Sequence, residues 1–263
     1  ISAKYNNEPC VQYIGPNGSG HYVKMVHNGI EYSDMELIAE VYFLLKNLMK
    51  IDNKEISDIF YNWNTGELCS YLIEITSKIL LKKDIDGSFI VDNILDQASH
   101  KGTGMWTAQN ALELHVPLSL ITESVFVRYI SALKSQRMIA STILQGPKFS
   151  LFDSKKDKIN FIKDLQKALF LGKIISYAQG FYQMQKASYK YNWDLKFSNI
   201  AKIFRSGCII RANFLNDIIT AYNTDNLLIN LLLSPNFQDI INIYQKSLRR
   251  IVIIAINNGI AVP

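Results

Sequence analysis

Four side chains of the kinds used in acid–base catalysis lie within YVKMVHNGIEYSDM, residues 22–35. His27, Asn28 and Glu31 follow Lys24 at offsets of three, four and seven residues. In an α-helix these offsets fall on one face, and the outer two side chains stand about 10 Å apart along the axis. A small ligand lying along such a helix would reach all four side chains.

Acid–base catalysis makes opposite demands on the two charged members of this stripe. A lysine that acts as a base must be neutral, so it needs burial or a nearby cation, whereas a glutamic acid that donates a proton needs a raised pKa. Spacing alone leaves two interpretations open. The stripe is either a catalytic constellation or an exposed polar face, in which Lys24 pairs with Asn28 and Glu31 faces water.

A second stretch, residues 94–130, offers cations for an anionic ligand. The motif KGTG at residues 101–104 precedes a helical pattern, and a helix N-terminus with a lysine and a threonine hydroxyl is a natural anion site. A flexible loop with a solvated Lys101 is the alternative, and the motif lacks the spacing of a P-loop. Arg128 lies in the largely apolar segment SVFVRYI, where an unpaired charge is costly. A phosphate would satisfy its guanidinium bidentately, and a structural Asp or Glu would do so equally well.

These side chains must be positioned by helices, because helical periodicity dominates the chain. The pattern predicts an all-α fold around a long helix at residues 21–49, and segments 13–14 and 89–91 are too short to build a sheet. Further helices are predicted at residues 56–62, 67–81, 104–114, 117–140, 158–191, 199–205, 209–220, 226–232 and 235–256.

A faint internal repeat accompanies the helices. Similar segments begin at Lys24 and Lys173, and each is followed by an aromatic residue three positions before a glycine, Trp63 with Gly66 and Phe204 with Gly207. This echo indicates two duplicated helical bundles or a coincidence.

Composition narrows the class of protein. The chain has 263 residues, a net charge of +5 and 48% hydrophobic residues, so it can bury a large core in one or two domains. Scattered lysines and arginines favour small anionic ligands over nucleic acid.

The apolar run at residues 251–256 is too short to span a membrane. Three distant cysteines predict buried, reduced thiols in a cytosolic protein. His100 and His115 show no metal-ligand spacing, so no metal is expected.

The motifs together resemble the C-terminal, all-helical domain of the decarboxylating 6-phosphogluconate dehydrogenases. The resemblance covers nearly the whole chain in the order of the family. It implies one helical domain, residues 1–263, that binds substrate and forms a dimer, is truncated at both ends and lacks the family's Rossmann domain. The matching stretches are GHYVKMVHNGIEYSDMELIAE, WNTGELCSYLIEIT, ILDQASHKGTGMWTAQNALELHVPLSLITESVFVRYISALK, KIISYAQGF and SGCIIRANFLNDI.

The resemblance implies a reaction and a role for each site residue. 6-Phosphogluconate would be oxidised at its C3 hydroxyl by NADP and would lose CO₂ to give ribulose 5-phosphate, without a metal. Lys24 would be the base at C3 and Glu31 the acid at C1 of the enediol. The implied substrate-binding residues are His27, Asn28, Tyr32, Lys101, Thr103 and Arg128, of which Tyr32, Lys101 and Arg128 would bind the phosphate. Asn28, at the nicotinamide end, and Lys101 would also contact NADP.

The resemblance further implies a cytoplasmic homodimer in which the C-terminal tail of the neighbouring subunit completes the site. Two departures from the family stand out, Met105 where a second lysine is usual and Ser206 where a glycine is usual. Two rival readings are another β-hydroxyacid dehydrogenase and a non-catalytic helical dimerisation module. The phosphate-binding set argues against the first rival. The intact pair of Lys24 and Glu31 argues against the second.

Overall fold

The computed structural model describes residues 1–99, 101–149, 152 and 154–263, and these residues confirm the all-α prediction. Beside the helices there is one antiparallel hairpin, with strand β1 pairing strand β2, and a short 3₁₀ helix at Leu231–Leu233. The strands are β1 (Lys4–Tyr5) and β2 (Glu8–Pro9), and the helices are α1 (Ser19–Leu48), α2 (Asn53–Asn64), α3 (Tyr71–Leu80), α4 (Ile90–Asn93), α5 (Thr103–Glu113), α6 (Ser119–Ala132), α7 (Lys134–Ile143), α8 (Lys155–Tyr191), α9 (Phe197–Ile203), α10 (Leu215–Thr224) and α11 (Pro235–Asn257).

Helix α1 is the predicted long helix, and it packs against α5, α6 and α8. Val23, Val26 and Ile30 recur at helical spacing and are buried on the side away from the polar stripe. Each such burial contributes about 1.5–3 kcal/mol relative to an exposed side chain. The helix ends just before Lys50, whose left-handed φ of 50° stops its continuation.

The order of elements occurs twice, as a long helix followed by two short ones, in α1–α2–α3 and α8–α9–α10. Two contacts join the halves at matching positions. The hydroxyls of Ser33 and Ser176, 143 residues apart, hydrogen-bond to each other, and Ser70 forms an antiparallel bridge with Ala212 at nearly the same separation. Each contact joins a residue of one half to the equivalent, or nearly equivalent, residue of the other half. Such contacts lie on a two-fold axis that relates the two halves, so the duplication is a feature of the fold.

This register differs from the one suggested by the echo in the sequence. A separation of 143 residues pairs Lys24 with Lys167 rather than with Lys173. The aromatic–glycine part of the echo lies closer to the structural register: Trp63 and Phe204 are 141 residues apart, and each lies within one residue of the end of its helix, α2 or α9.

Several predicted boundaries are wrong because tertiary pairing overrides local periodicity. The predicted helix at 117–140 is two helices, since the backbone turns at Leu133 with φ −82° and ψ 43°. The helices predicted at 67–81 and 209–220 begin later, at Tyr71 and Leu215, because the preceding residues form the bridge of Ser70 with Ala212. The segment at 226–232 forms only the short 3₁₀ helix at its end.

Two further observations concern expectations from composition. Cys10, Cys69 and Cys208 are free thiols, and each is half-buried rather than buried. Within the described residues, no helix is long and apolar enough to cross a membrane.

Candidate active site

The polar stripe of α1 forms a connected cluster. Lys24 Nζ donates to Asn28 Oδ1 at 2.7 Å and lies 3.3 Å from His27 Nδ1, which is itself 2.9 Å from Asn28 Oδ1. Lys24 is exposed, His27 is buried, and Asn28 and Glu31 are half-buried. The pairing of Lys24 with Asn28 therefore exists, but Glu31 does not simply face water.

Close packing of α5 on α1 brings the KGTG motif to this cluster. A Cβ on Gly29 would lie 2.7 Å from Thr107 Cγ2, and a Cβ on Gly104 would lie 2.6 Å from the Tyr32 ring, so only glycine permits this approach. The Thr107 hydroxyl then donates to the Met25 carbonyl at 3.0 Å. The two helices are held at a distance that places the N-terminus of α5 beside the polar stripe.

Helix α5 begins at Thr103, as the anion-site interpretation requires. Gly102 precedes it with a φ of 96°, and no side chain caps the helix. Asn28 Nδ2 donates to Thr103 Oγ1 at 3.2 Å, and the backbone N–H of Lys101 donates to the Tyr32 hydroxyl at 3.4 Å. The Lys101 side chain is exposed, and the first backbone N–H groups of a helix have no partner within it, so this turn offers donors to an anion.

Arg128 finds partners other than a carboxylate. Its guanidinium lies 4.3 Å from the centroid of the Tyr32 ring, and Nη1 donates to the Ser99 carbonyl at 2.7 Å. Nη2 lies 3.9 Å from Met35 Sδ. In the described part of the chain no salt bridge neutralises Arg128, so its positive charge faces the site beside Tyr32 and the Lys101 loop.

Burial and neighbouring charges shift the pKa values of His27 and Glu31 in opposite directions. Burial, followed by the nearby Lys24 charge, lowers the pKa of His27 to about 4, so the imidazole is neutral at physiological pH. Its Nδ1 faces Lys24 and Asn28, while Nε2 is buried without a hydrogen-bond partner among the described residues. Burial raises the pKa of Glu31; Lys24 and Arg128 act against this, and Asp34 adds to it. A carboxyl that retains its proton is suited to act as an acid.

The structure thus brings together the predicted residues and adds some that sequence reasoning did not find. The Phe204 ring packs edge-on against His27, with the centroids 5.2 Å apart. A fully buried ion pair of Asp34 and Lys173 lies beneath Glu31. The repeat marks Lys173 in the sequence, and a lysine inside an apolar helical pattern is a second signal for it. No group of His, Cys, Asp and Glu in the described ranges has a metal-site arrangement, and His100 lies outside them.

The fold and site define a helical domain in which the polar stripe of α1 lies beside the N-terminus of α5. The family model "6-phosphogluconate dehydrogenase, C-terminal domain" matches residues 20–263. The chain therefore belongs to this family, which confirms the resemblance inferred from its motifs.

Individual relatives agree with this assignment. The chain is 61% identical over 263 residues to "6-phosphogluconate dehydrogenase, decarboxylating" of Buchnera aphidicola subsp. Acyrthosiphon pisum, covering 100% of the chain and 56% of the relative. It is 58% identical over 258 residues to the Escherichia coli K12 protein of the same name, covering 98% and 54%. The chain thus spans about half the length of the curated relatives it matches.

A solved structure of similar fold is Plasmodium falciparum 6-phosphogluconate dehydrogenase, described in apo form, with its cofactor NADP⁺ and with its substrate 6-phosphogluconate. It aligns with a TM-score of 0.94 and 45% identity, over 99% of this chain and 56% of that one.

Proposed function

We propose that this chain supplies the substrate-binding and acid–base half of an enzyme that converts 6-phosphogluconate and NADP to ribulose 5-phosphate, CO₂ and NADPH. One observation carries the proposal. The hydrogen-bonded cluster of Lys24, Asn28 and Thr103 lies next to a half-buried Glu31 and to the cations Lys101 and Arg128. A base, an acid and a phosphate site are the groups that this reaction needs.

The residues at the start of α5 fit the carboxamide at the nicotinamide end of NADP. The first turn carries no acidic side chain, and it offers backbone N–H groups, the Thr103 hydroxyl and the adjacent Asn28 amide. Asn28 and Lys101 are the proposed contacts to the cofactor. When bound, NADP supplies the acceptor for the hydride that leaves C3.

Lys24 acts first in the proposed mechanism. Its amine removes the proton of the C3 hydroxyl, which allows C3 to become a ketone as its hydride leaves. The resulting ammonium then donates to the ketone oxygen, and this polarisation lets the β-keto acid release CO₂. Because Lys24 is exposed in this chain, the neutral amine requires that substrate and cofactor cover it.

Glu31 completes the reaction. Loss of CO₂ leaves an enediol, whose C1 must accept a proton, and burial raises the pKa of the Glu31 carboxyl, which favours its protonated form. Two helical turns separate it from Lys24, so the two groups reach different ends of a short carbon chain. His27 and Asn28 hold the substrate carboxylate and hydroxyls between them.

The phosphate of the substrate occupies the cationic end of the site. Arg128 offers a charged guanidinium stacked on Tyr32, and the Lys101 loop lies against the Tyr32 hydroxyl. Charge-assisted hydrogen bonds to phosphate contribute about 1.5–3 kcal/mol each. This feature distinguishes the proposed substrate from β-hydroxyacids that lack a phosphate.

The proposal includes a homodimer, whose neighbouring C-terminal tail completes the site, and a cytoplasmic location. Helix α7 has no buried residue in this chain. Exposed apolar side chains on α7 and on the residue after it form one surface. Because the cores of dimer interfaces are apolar, this surface suits contact with a second copy of the chain. These side chains are Met138, Ile139, Ile143 and Leu144.

The test is a comparison of substrates with the protein that contains this chain. We expect NADPH and CO₂ in equal amounts from 6-phosphogluconate, and far slower turnover of gluconate and of small β-hydroxyacids. Equal rates with gluconate would favour a different β-hydroxyacid dehydrogenase. Absence of turnover with every substrate would favour the dimerisation module.

A further inference from the structure

A buried ion pair lies one helical turn from Glu31. Asp34 follows Glu31 by three residues on α1, and its carboxylate oxygens accept hydrogen bonds from Lys173 Nζ on α8 at 2.5 and 2.6 Å. The two side chains are 1% and 0% exposed. Residues three apart on a helix are surface neighbours, so Asp34 stands beside the proposed acid.

Stability alone does not explain this pair. Removing two charges from water is costly, and apolar residues of similar volume commonly replace a buried ion pair without loss of stability. Buried apolar side chains flank the pair along both helices: Ile30 precedes Asp34 by four residues, Ile174 follows Lys173, and both are 0% exposed. A charge pair at this position therefore points to a role in the neighbouring site.

We propose that Asp34 and Lys173 are the positioning pair of Glu31: Asp34 opposes loss of the proton from the neighbouring carboxyl, and Lys173 holds the Asp34 side chain fixed in the core. The inference rests on the proposed function, because it assigns a purpose to the acid role of Glu31. Neither residue contacts substrate in this scheme.

The charges around Glu31 give the direction of the effect. Lys24 on α1 and Arg128 on α6 face Glu31 and favour loss of its proton, while Asp34 on α1 opposes them. Helix α8 contributes Lys173, which faces Asp34. Without the Asp34 charge, burial alone opposes the two cations, and Glu31 loses its proton at a lower pH.

The test replaces the pair by apolar residues, with Asp34→Leu and Lys173→Met combined in the protein that contains this chain. We expect a folded protein in which the titration of the Glu31 carboxyl moves to lower pH. Carboxyl ¹³C NMR measures this titration, and the Glu31→Gln variant identifies the signal. The high-pH limb of the kcat profile moves in the same direction. Asp34→Asn alone moves the titration further, because the unbalanced Lys173 charge adds to the effect.

A second ion pair on α8 is the matched control. Asp164 accepts hydrogen bonds from Arg250 on α11 at 2.5 and 2.7 Å, and Asp164→Leu with Arg250→Met should leave the Glu31 titration unchanged. An unchanged titration in the Asp34→Leu, Lys173→Met protein would overturn the inference. Unfolding of both Asp34 variants would do so too, because the pair would then serve the fold. If the parent protein makes no NADPH while the titration still shifts, only the proposed reaction fails.

Discussion

The same helical stripe occurs in both halves of the molecule and is used in opposite ways. At the separation of 143 residues set by Ser33 and Ser176, the α1 stripe corresponds to a stripe on α8. The α1 residues Lys24, His27, Asn28 and Glu31 correspond to Lys167, Phe170, Leu171 and Ile174. Both copies keep the lysine, but the other three positions are polar in α1 and apolar in α8.

The apolar copy is part of the core. Phe170, Leu171 and Ile174 are buried, and the Phe170 ring packs edge-on against Phe214 and against Tyr244 of α11. The Lys167 ammonium lies 5.5 Å from the centroid of the Tyr244 ring. Helix α11 thus covers this stripe, and its residues are explained by packing.

The polar copy is not explained in this way. His27 is 2% exposed, as buried as its counterpart Phe170, yet its Nε2 has no hydrogen-bond partner among the described residues. A buried polar atom without a partner costs about 1–3 kcal/mol. The α8 copy shows that the fold accepts an apolar residue at such a position, so packing does not explain the polar residue in α1. This comparison leads to four predictions.

The largest expected effect is on the two lysines. Lys24→Met removes the proposed base, and we expect NADPH formation to fall by at least about 1000-fold while 6-phosphogluconate still binds. Lys167→Met, at the corresponding position, should change kcat less than about two-fold because Lys167 packs over Tyr244 in the stripe that α11 covers. Steady-state kinetics and calorimetric binding measure both quantities. Similar losses in the two variants would remove the distinction between the copies.

The next effect concerns the buried imidazole. The pKa of His27 falls from 6.5 to about 4 on folding, so between these values the unfolded chain binds a proton that the folded chain does not. The free energy of unfolding therefore decreases as the pH drops from 6.5 towards 4, by about 2–3 kcal/mol. His27→Phe, which introduces the residue of the α8 copy, should abolish this decrease. Denaturant titrations at several pH values measure it.

The control for this prediction is the exposed His115, where His115→Asn should retain the pH dependence. Asparagine suits the positive φ of 55° at this position. A His27→Phe protein that still loses stability over the same range would show that another group titrates there.

The phosphate site is a smaller, more local prediction. Arg128→Ala should raise the KM for 6-phosphogluconate by about 10- to 100-fold, as expected for one charge-assisted contact, and should affect the KM for NADP much less. Arg249→Ala, which removes an exposed arginine bonded to Gln245, is the control and should change neither value. Equal increases for both ligands would argue against a phosphate contact.

Comparison of the two halves also shows how far the sequence alone could lead. The long helix and its stripe followed from periodicity, since both depend on residues within a few turns of each other. The Asp34–Lys173 pair joins residues 139 apart, and the Ser99 carbonyl that binds Arg128 carries no side-chain signal. The break between α6 and α7 and the late start of α10 likewise depend on tertiary contacts that periodicity does not record.

The smallest expected effect concerns the close packing of neighbouring side chains against a glycine in each stripe-bearing helix. Gly29 and its counterpart Gly172 both lack room for a Cβ, but the obstacles differ. At Gly29 it is Thr107 Cγ2, at 2.7 Å, on a stiff β-branched side chain that also bonds to Met25. At Gly172 it is the flexible end of Leu37, at 2.9 Å. Gly29→Ala should therefore displace α5 and lower the free energy of unfolding by about 1–3 kcal/mol, with weaker substrate binding.

Gly172→Ala should cost less, because Leu37 can rotate and alanine gains helix propensity over glycine by up to about 1 kcal/mol. Thermal unfolding and the KM for 6-phosphogluconate measure both variants side by side. If both variants are equally destabilised and neither changes the KM, the contact of α5 with α1 serves packing alone. It would then resemble the contact of α11 with the α8 stripe. A rise in KM confined to Gly29→Ala would tie the close approach of α5 to the polar stripe.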